Sequence, residues 1–163
     1  MTDNFTTHAT NFSDSLSAAV DPRTGLYTLS LTLLSLAANN QLGPAVDLSL
    51  TYDPLSSDNP GFGTGFTLNL SSYNTATGML RLSSGERYRV SETTGQPVVL
   101  QKKLNNFIFR KTADAYEVIW KNGVTEVLPG PASSVSLRYP VRITSPTGRL
   151  VTLSWDYTGE TPV

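Results

Sequence analysis

Apolar and polar residues alternate along much of the chain. In the segment 26–33, Leu29, Leu31 and Leu33 fall on one face, and the segment 46–52 alternates in the same way. A period of two over this length predicts a β-strand with one buried face. No stretch repeats apolar residues at the three- and four-residue spacing of an amphipathic helix. We therefore predict an all-β fold with almost no helix.

Shorter segments with the same alternation continue through the rest of the chain. Strands are predicted at 65–70, 79–82, 88–90, 107–109, 116–120, 124–128, 141–143 and 150–155. This gives about ten strands of ordinary length. Because short turns join most neighbours, we predict an antiparallel hairpin meander that forms a sandwich or a curled, wall-like sheet. The turn glycines Gly85, Gly123 and Gly148 are unevenly spaced, which argues against a strict repeat.

Several turns are predicted from their residue chemistry. The sequence Asp-Pro-Arg-Thr-Gly at 21–25 places β-turn residues in their preferred positions. Asn122-Gly123 predicts a type I′ hairpin, which needs positive φ at both residues. The glycine-rich stretch 61–65 lacks the Lys-Ser/Thr ending of a phosphate-binding loop and precedes a strand. We predict a tight turn there, with Phe62 and Phe66 packed inward.

Three segments are predicted along the chain. Residues 1–19 are polar and small, without a period, and are expected to form a flexible leader. Residues 20–157 are expected to form the antiparallel β domain. Residues 158–163 resemble the exit of a last strand cut in the middle of a repeat, which would leave a strand edge exposed.

Composition narrows the class of protein. With 163 residues, the chain is long enough for one domain that buries a core without cross-links. Charged residues make up 15% of the chain, whereas an average globular domain has about 25%. The net charge of −1 provides no basic surface for a phosphate backbone, so no nucleic-acid partner is predicted. The absence of cysteine excludes disulfides and thiolate chemistry.

Few residues could support catalysis. The single histidine, His8, lies in the predicted leader, where nothing would hold it against a partner. The acidic residues considered as general acids or bases are Asp21, Asp53, Asp58, Glu86, Glu92, Asp114, Glu117, Glu126, Asp156 and Glu160. They are scattered singly, and we interpret them as turn caps and as side chains on solvated strand faces. We predict no catalytic, metal-binding or cofactor-binding residue, no cofactor, and no enzyme activity.

The aromatic residues leave a binding function open. Candidates in or beside strands are Tyr27, Tyr52, Tyr73, Tyr88, Tyr116, Trp120, Tyr139, Trp155 and Tyr157. An exposed row of such side chains would form a sugar-binding platform, whereas core anchors and cross-strand pairs are the more frequent use. The alternative function is therefore an autonomous carbohydrate- or protein-binding β-sandwich.

A resemblance covers nearly everything from about residue 12 onward. Val-Asp-Pro-Arg-Thr-Gly at 20–25, Leu-Gly-Pro at 42–44, Leu-Ser-Leu-Thr-Tyr at 48–52 and the glycine-rich strand at 61–70 follow one another in that order. This series resembles the opening of bacterial Rhs/YD-repeat toxin proteins and of the related B components of insecticidal toxin complexes. The hairpin at 82–88 is similar to a further step of the family pattern. Phe66 stands where the family usually has Trp.

The resemblance implies a structural role. In that family a long series of β-hairpins forms a hollow shell around a C-terminal toxin, so this chain is expected to be the opening segment of such a shell. The expected partners are the rest of the shell, namely its C-terminal repeats and the enclosed toxin, with self-association through exposed strand edges. The family's self-cleaving Asp motifs have no counterpart in this sequence.

The beginning of the sequence bears on localisation. The first residues have neither a basic nor an apolar region, so no Sec signal peptide is predicted. The most apolar window, 29–38, is interrupted by Ser30, Thr32 and Ser35 and is too short to span a bilayer. We therefore expect no membrane insertion by this segment. Together with the family resemblance, this predicts a bacterial protein that is cytoplasmic before export or is secreted by a specialised system.

Overall fold

The regular structure of the described residues is built from β-strands. The computed structural model describes residues 15–37, 43–56, 59, 61–92, 95–158 and 161–162. These residues contain sixteen strands, and every strand pair is antiparallel. The prediction of an all-β fold built from antiparallel hairpins is confirmed.

Fourteen of the strands form three sheets. In chain order the strands are β1 Leu16–Val20, β2 Tyr27–Leu36, β3 Val46–Tyr52, β4 Phe66–Leu68, β5 Ser72–Asn74, β6 Met79–Arg81, β7 Arg87–Ser91, β8 Val98–Val99, β9 Phe107–Lys111, β10 Ala115–Trp120, β11 Thr125–Pro129, β12 Leu137–Arg138, β13 Arg142–Thr144, β14 Leu150–Thr152, β15 Tyr157–Thr158 and β16 Thr161–Pro162. Sheet I has the order β1-β2-β3-β4, sheet II the order β12-β5-β6-β7-β8, and sheet III the order β14-β13-β11-β10-β9. The strands β15 and β16 pair only with each other among the described residues.

Two hydrophobic cores lie between the sheets. The first core joins sheet II to strands β9–β11 and contains Tyr73, Leu80, Leu82, Val90, Phe107, Phe109, Tyr116, Val118 and Leu128. The second core joins sheet I to strand β13 and contains Val46, Leu50, Leu68, Leu70, Tyr139 and Ile143. Sheet III therefore packs against sheet II through one part and against sheet I through another.

A β-bulge changes the face of strand β2. Before the bulge, Leu31 pairs with Leu50, and after it, Leu34 pairs with Leu48; the register shifts between Thr32 and Leu34. The bulge accommodates one extra residue, Leu33, in β2. The predicted alternation through Leu33 therefore stops early, and Leu34 takes the next position on the apolar face. The doublet Leu33-Leu34 in the sequence is the local sign of this shift.

Three hairpin turns share one geometry. In 82–86, 120–124 and 145–149 the first amide donates to the fifth carbonyl, and the fourth residue, a glycine with positive φ, donates to the first carbonyl. This is the pattern of a three-residue loop closed by a glycine bulge. The prediction of a type I′ turn at Asn122-Gly123 is wrong. That turn needs a positive φ at both residues, and only Gly123 has one, at +85°; Asn122 does not, since Gln101 is the one described non-glycine residue with a positive φ.

The ordered structure begins earlier than predicted. Strand β1 starts at Leu16, inside the segment 1–19 that was expected to be a flexible leader, and pairs with β2 from Leu16↔Leu31 to Val20↔Tyr27. Its small residues carry little strand preference of their own, so the pairing with the long β2 decides their conformation. The rest of the predicted leader, residues 1–14, lies outside the described residues.

Two further placements differ from the predictions. Phe62 is half exposed rather than packed inward, because it lies in an exposed loop, whereas Phe66 packs on the second core and on Tyr52, with ring centroids 5.2 Å apart. Within the predicted exit strand at 158–163, the described residues belong to two short paired strands, since Thr158 of β15 pairs with Thr161 of β16. Sequence alternation also missed β5, β8 and β12, which are only two or three residues long.

Candidate functional site

A row of three paired residues crosses the face of sheet III that packs on the cores. Val118 on β10 pairs with Glu126 on β11, and Glu126 pairs with Ile143 on β13. Residues paired in this way point to the same face of the sheet. Val118 belongs to the first core and Ile143 to the second. The carboxylate side chain of Glu126 therefore lies between two hydrophobic cores, and only 5% of it is exposed.

One carboxylate oxygen of Glu126 accepts two hydrogen bonds. The Trp120 indole Nε1 donates to Oε1 over 2.7 Å, and the Ser83 hydroxyl donates to the same atom over 3.3 Å. The second oxygen, Oε2, is buried and has no hydrogen-bond partner among the described residues. Because buried polar atoms are nearly always paired, this atom marks a group that the fold alone does not satisfy.

A cleft of about 420 Å³ opens beside Glu126. Its polar lining comes from sheet I, from the 82–86 turn and from β10–β11, and its apolar lining comes mainly from the second core. The polar side chains are Asp47, Asn69, Ser83, Ser84, Trp120, Asn122 and Glu126. The described lining thus contains two carboxylates and no lysine, arginine or histidine. Such a cleft can accept hydrogen bonds and attract positive charge.

Turn geometry positions the Trp120 side of the cleft. A Cβ on Gly123 would lie 2.9 Å from Cγ of Pro146, so the 120–124 turn packs closely against the 145–149 turn. The Asn122 side chain accepts from the Val124 amide over 3.1 Å and fixes the loop locally. The indole of Trp120 also packs on Phe107, with ring centroids 6.2 Å apart. Trp120 is therefore held from two sides while its Nε1 contacts Glu126.

A second polar group, partly buried around Glu92, has hydrogen-bond partners within the protein. Tyr73 donates its hydroxyl to Glu92 Oε1 over 2.6 Å, and Tyr116 donates to the same atom over 3.1 Å. Lys111 Nζ contacts Glu92 Oε2 at 2.8 Å. The group joins the end of β7 in sheet II to β9 and β10 in sheet III. We interpret it as a structural link between the layers, because each of its groups has a partner.

The Glu92 group alters the acidity of its members. Burial opposes ionisation of Glu92, but hydrogen bonds from Lys111, Tyr73 and Tyr116 outweigh it and lower the pKa of that carboxyl. Burial, followed by the hydrogen bond to Glu92, raises the pKa of both tyrosine hydroxyls. The hydrogen bond to Glu92 raises the pKa of the Lys111 ammonium. The folded state therefore favours ionised Glu92 and Lys111 beside neutral tyrosines.

Arg138 on β12 is a buried cation that binds main-chain carbonyls. Its guanidinium donates to the carbonyl oxygens of Pro129 at 3.0 Å, Ser133 at 3.2 Å and Val135 at 3.1 Å, and also to that of Gly130. The guanidinium carbon lies 5.3 Å from the centre of the Tyr116 ring. These contacts order the connection between β11 and β12, so Arg138 is also structural.

A second cleft, again of about 420 Å³, has the opposite charge. It lies between β4, β5–β7 and β12, and Arg81 and Arg87, which pair across β6 and β7, contribute to its lining. No carboxylate belongs to its described lining. The two clefts therefore differ in the sign of the charge that they present.

The predicted acidic residues divide into two groups. Asp21 and Asp53 cap turns, accepting from the amides of Arg23 at 2.8 Å and Leu55 at 2.9 Å, as expected. Glu126 and Glu92 do not lie on solvated strand faces, and that interpretation is wrong for both. In the sequence Glu126 looks like one polar position of an alternating strand, and only its place between two layers buries it. His8, Asp58 and Glu160 lie outside the described residues.

The aromatic residues mainly support the cores. Tyr73, Tyr116 and Tyr139 are buried, and Trp155 packs on Tyr139 with ring centroids 5.0 Å apart. Trp120 is the aromatic residue that lines the acidic cleft. The described residues thus contain no exposed row of tryptophan and tyrosine rings of the kind that a flat sugar platform needs.

Neither a metal-binding cluster, nor a membrane-spanning helix, nor a similar known protein was found for the described part of the chain. No cluster of three or more histidine, cysteine or acidic side chains able to hold a metal occurs in the part of the chain that is described. The described residues contain no helix with the length and hydropathy of a membrane span. Searches against protein-family models, curated proteins and solved structures find no match.

Proposed function

We propose that this chain is a non-enzymatic structural β domain, the opening segment of an Rhs/YD-repeat type of shell that encloses a C-terminal toxin. The observation that carries the proposal is the uncovered apolar face of sheet I. Through the register, five apolar residues of β1 and β2 share the face that packs on the second core, and they are Leu16, Val20, Tyr27, Leu34 and Leu36. Each of them is between 39% and 59% exposed.

The exposed apolar residues of sheet I form one continuous surface and are not scattered singly. Antiparallel sheets that face water usually carry polar residues on that side. Here the apolar side of sheet I begins at the second core, where Leu31 and Leu48 are partly buried. It extends from there to β1, in which every residue is exposed. Contiguous apolar surface of this kind marks a contact site. In the proposal, further hairpins of the same shell polypeptide cover it.

The edge of sheet I supports the same function. Strand β1 has the sequence Leu-Ser-Ala-Ala-Val and contains no charged residue, proline or bulge in its pairing with β2. Charges, prolines and bulges are the usual means of preventing an edge strand from pairing with another chain. The β1 edge is therefore suited to receive a further strand.

The hairpin turns support construction from serial hairpins. Three turns with the same glycine-closed geometry, at 82–86, 120–124 and 145–149, connect successive antiparallel strands in sheets II and III. A wall that grows by adding hairpins needs such a standard connection. In the proposal, further hairpins extend the wall through turns of this kind.

The first test is the solution mass of the chain by light scattering over a concentration series. We expect the mass to rise with concentration, because the uncovered face and the β1 edge have no partner among the described residues. Val20→Lys should reduce this association at least severalfold by placing a charge on the face. Leu104→Lys is the matched control, since Leu104 is 65% exposed but lies outside sheet I.

Two outcomes would contradict the proposal. A strict monomer at every concentration would favour the alternative, a self-contained binding β-sandwich. Equal effects of Val20→Lys and Leu104→Lys would mean that association does not use sheet I.

A further inference from the structure

The cleft beside Glu126 has the features of a site for a positively charged group. We propose that it binds an alkyl guanidinium or ammonium group, the chemistry of an arginine or lysine side chain, with Glu126 as the counter-charge. The inference is independent of the proposed shell function, since it rests only on the cleft between the two cores.

The first argument is the buried carboxylate. Glu126 is more than nine-tenths buried, its neighbours across the strands are Val118 and Ile143, and its Oε2 has no partner among the described residues. A buried carboxylate is stable only when a counter-charge and hydrogen bonds compensate for the lost water. The fold supplies two neutral donors, Trp120 and Ser83, both to Oε1. A cation would supply the missing charge and further donors.

The second argument is the charge of the lining. Asp47 at the cleft adds a second carboxylate, and no positively charged side chain belongs to the described lining. Two like charges with no cation between them raise the affinity for a positive group. An anionic ligand would instead be repelled by the two carboxylates.

The third argument is the apolar part of the cleft. Val46, Leu70, Val124 and Ile143 lie beside the acidic groups. A ligand with an alkyl stem and a charged end matches this combination, because the stem contacts apolar side chains while the end reaches the carboxylate. An indole ring at the site adds an aromatic surface that attracts cations.

The experiment uses the two tryptophan indole N–H signals in NMR spectra of the full chain. The Trp120 indole donates to Glu126, whereas the Trp155 indole donates to the Pro140 carbonyl over 2.7 Å and serves as an internal control. Titration with n-butylguanidinium chloride should shift the Trp120 signal and leave the Trp155 signal in place. The neutral isostere n-butylurea should bind about tenfold more weakly or worse, since a charge-assisted contact is about twice as strong as a neutral one.

The variants separate binding from folding. Glu126→Gln keeps an acceptor for Trp120 and Ser83 but removes the charge, so it should abolish the preference for n-butylguanidinium over n-butylurea while leaving the melting temperature equal or higher. Glu117→Gln is the matched control, because it removes one carboxylate on the neighbouring strand outside the cleft. Should Glu126→Gln fail to fold, Asp47→Asn at the exposed side should still weaken n-butylguanidinium severalfold.

The peptide acetyl-Gly-Arg-Gly-amide distinguishes the source of the cation. Binding much tighter than that of n-butylguanidinium supports a polypeptide side chain, and equal binding supports a small free compound with a guanidinium or ammonium group. The proposal is overturned by equal binding of n-butylguanidinium and n-butylurea, by a shift of both indole signals alike, or by no shift at all. A large loss of stability in a folded Glu126→Gln variant would also contradict it, because it would show that the carboxylate serves the fold.

Discussion

The two cores of this protein are built from the same kind of alternating strand, but they are closed to different degrees. In the first core, Leu80, Val118 and Leu128 have no exposed area, because two sheets enclose them. In sheet I, part of the apolar face packs on the second core and the rest is not covered by another strand of the described residues, so that Leu34 is 47% exposed. Alternation thus determines which face of a strand is apolar, whereas the second layer determines how much of that face is buried.

The sharpest test of this difference is a pair of truncations. Leu128→Ala should lower the free energy of unfolding by about 2–5 kcal/mol, because it leaves a cavity in a closed core. Leu34→Ala should cost no more than about 1 kcal/mol, since much of that side chain is already in water. Urea denaturation followed by circular dichroism measures both. Equal losses would mean that sheet I is covered in solution.

Substitution of one glycine in each region by alanine compares how tightly the loops of the two regions are packed. Gly65, before β4 of sheet I, and Gly85, in a hairpin of sheet II, both have a φ of +91°. A Cβ at Gly65 would lie 2.7 Å from the Tyr52 ring and 3.0 Å from the Asp53 carbonyl oxygen, whereas a Cβ at Gly85 would meet nothing within 4 Å. Gly85→Ala should cost about 1–2 kcal/mol from backbone strain alone.

Gly65→Ala should cost about 1–3 kcal/mol more than Gly85→Ala, because Tyr52 and the β3–β4 connection must move. The measurement is again the free energy of unfolding in urea. If the two variants were equally stable, the loop before β4 would have room that the packing of Tyr52 does not show.

The smallest expected effect is the pH dependence of stability that arises from the Glu92 group beside the first core. The pKa of Glu92 is lowered by folding, so its contribution is present above the ordinary value of 4.5 and is lost as pH falls through the folded value. The pKa values of Tyr116 and Lys111 are raised, so their contributions are present below 10.0 and 10.5 and are lost as pH rises further.

Glu92→Gln should therefore flatten the fall of the melting temperature at acid pH. Glu86→Gln, which makes the same charge change in an exposed turn, should leave that fall unchanged. The melting temperature between about pH 2 and 7 measures the effect, in the range where carboxylates titrate. If the melting temperature of Glu92→Gln fell at acid pH as steeply as that of the unsubstituted chain, the link between the sheets would not depend on an ionised carboxylate.

Much of the fold was predictable because the long strands carry their own pattern. Strands β2 and β3 and the hairpin of β10 and β11 follow directly from alternating residues around glycine turns. Strand β1 was not predictable, since its central residues Ser17, Ala18 and Ala19 acquire strand structure by pairing with β2. Sheet order likewise depends on contacts between residues far apart in the sequence.

The candidate site was hidden for the same reason. Glu126 is one acidic residue in an alternating strand, and nothing near it in the sequence distinguishes it from Glu117. Its burial results from sheet III meeting two other sheets, and its contact with Ser83 joins residues 43 positions apart. The one local signal was the spacing of Trp120 and Glu126 around a tight hairpin, which brings the two side chains together across β10 and β11.

The guanidinium of Arg138 has a consequence for how this domain bears force. The connection from sheet III to sheet II, residues 130–136, contains no strand, yet four carbonyls along it and at its start bind the same side chain. A pull on this connection would load those hydrogen bonds together rather than one after another. Lysine has no planar fork of five donors and could not share the load in this way. Beside the first core and the Glu92 group, which also join these two layers, a single side chain therefore holds the connection itself.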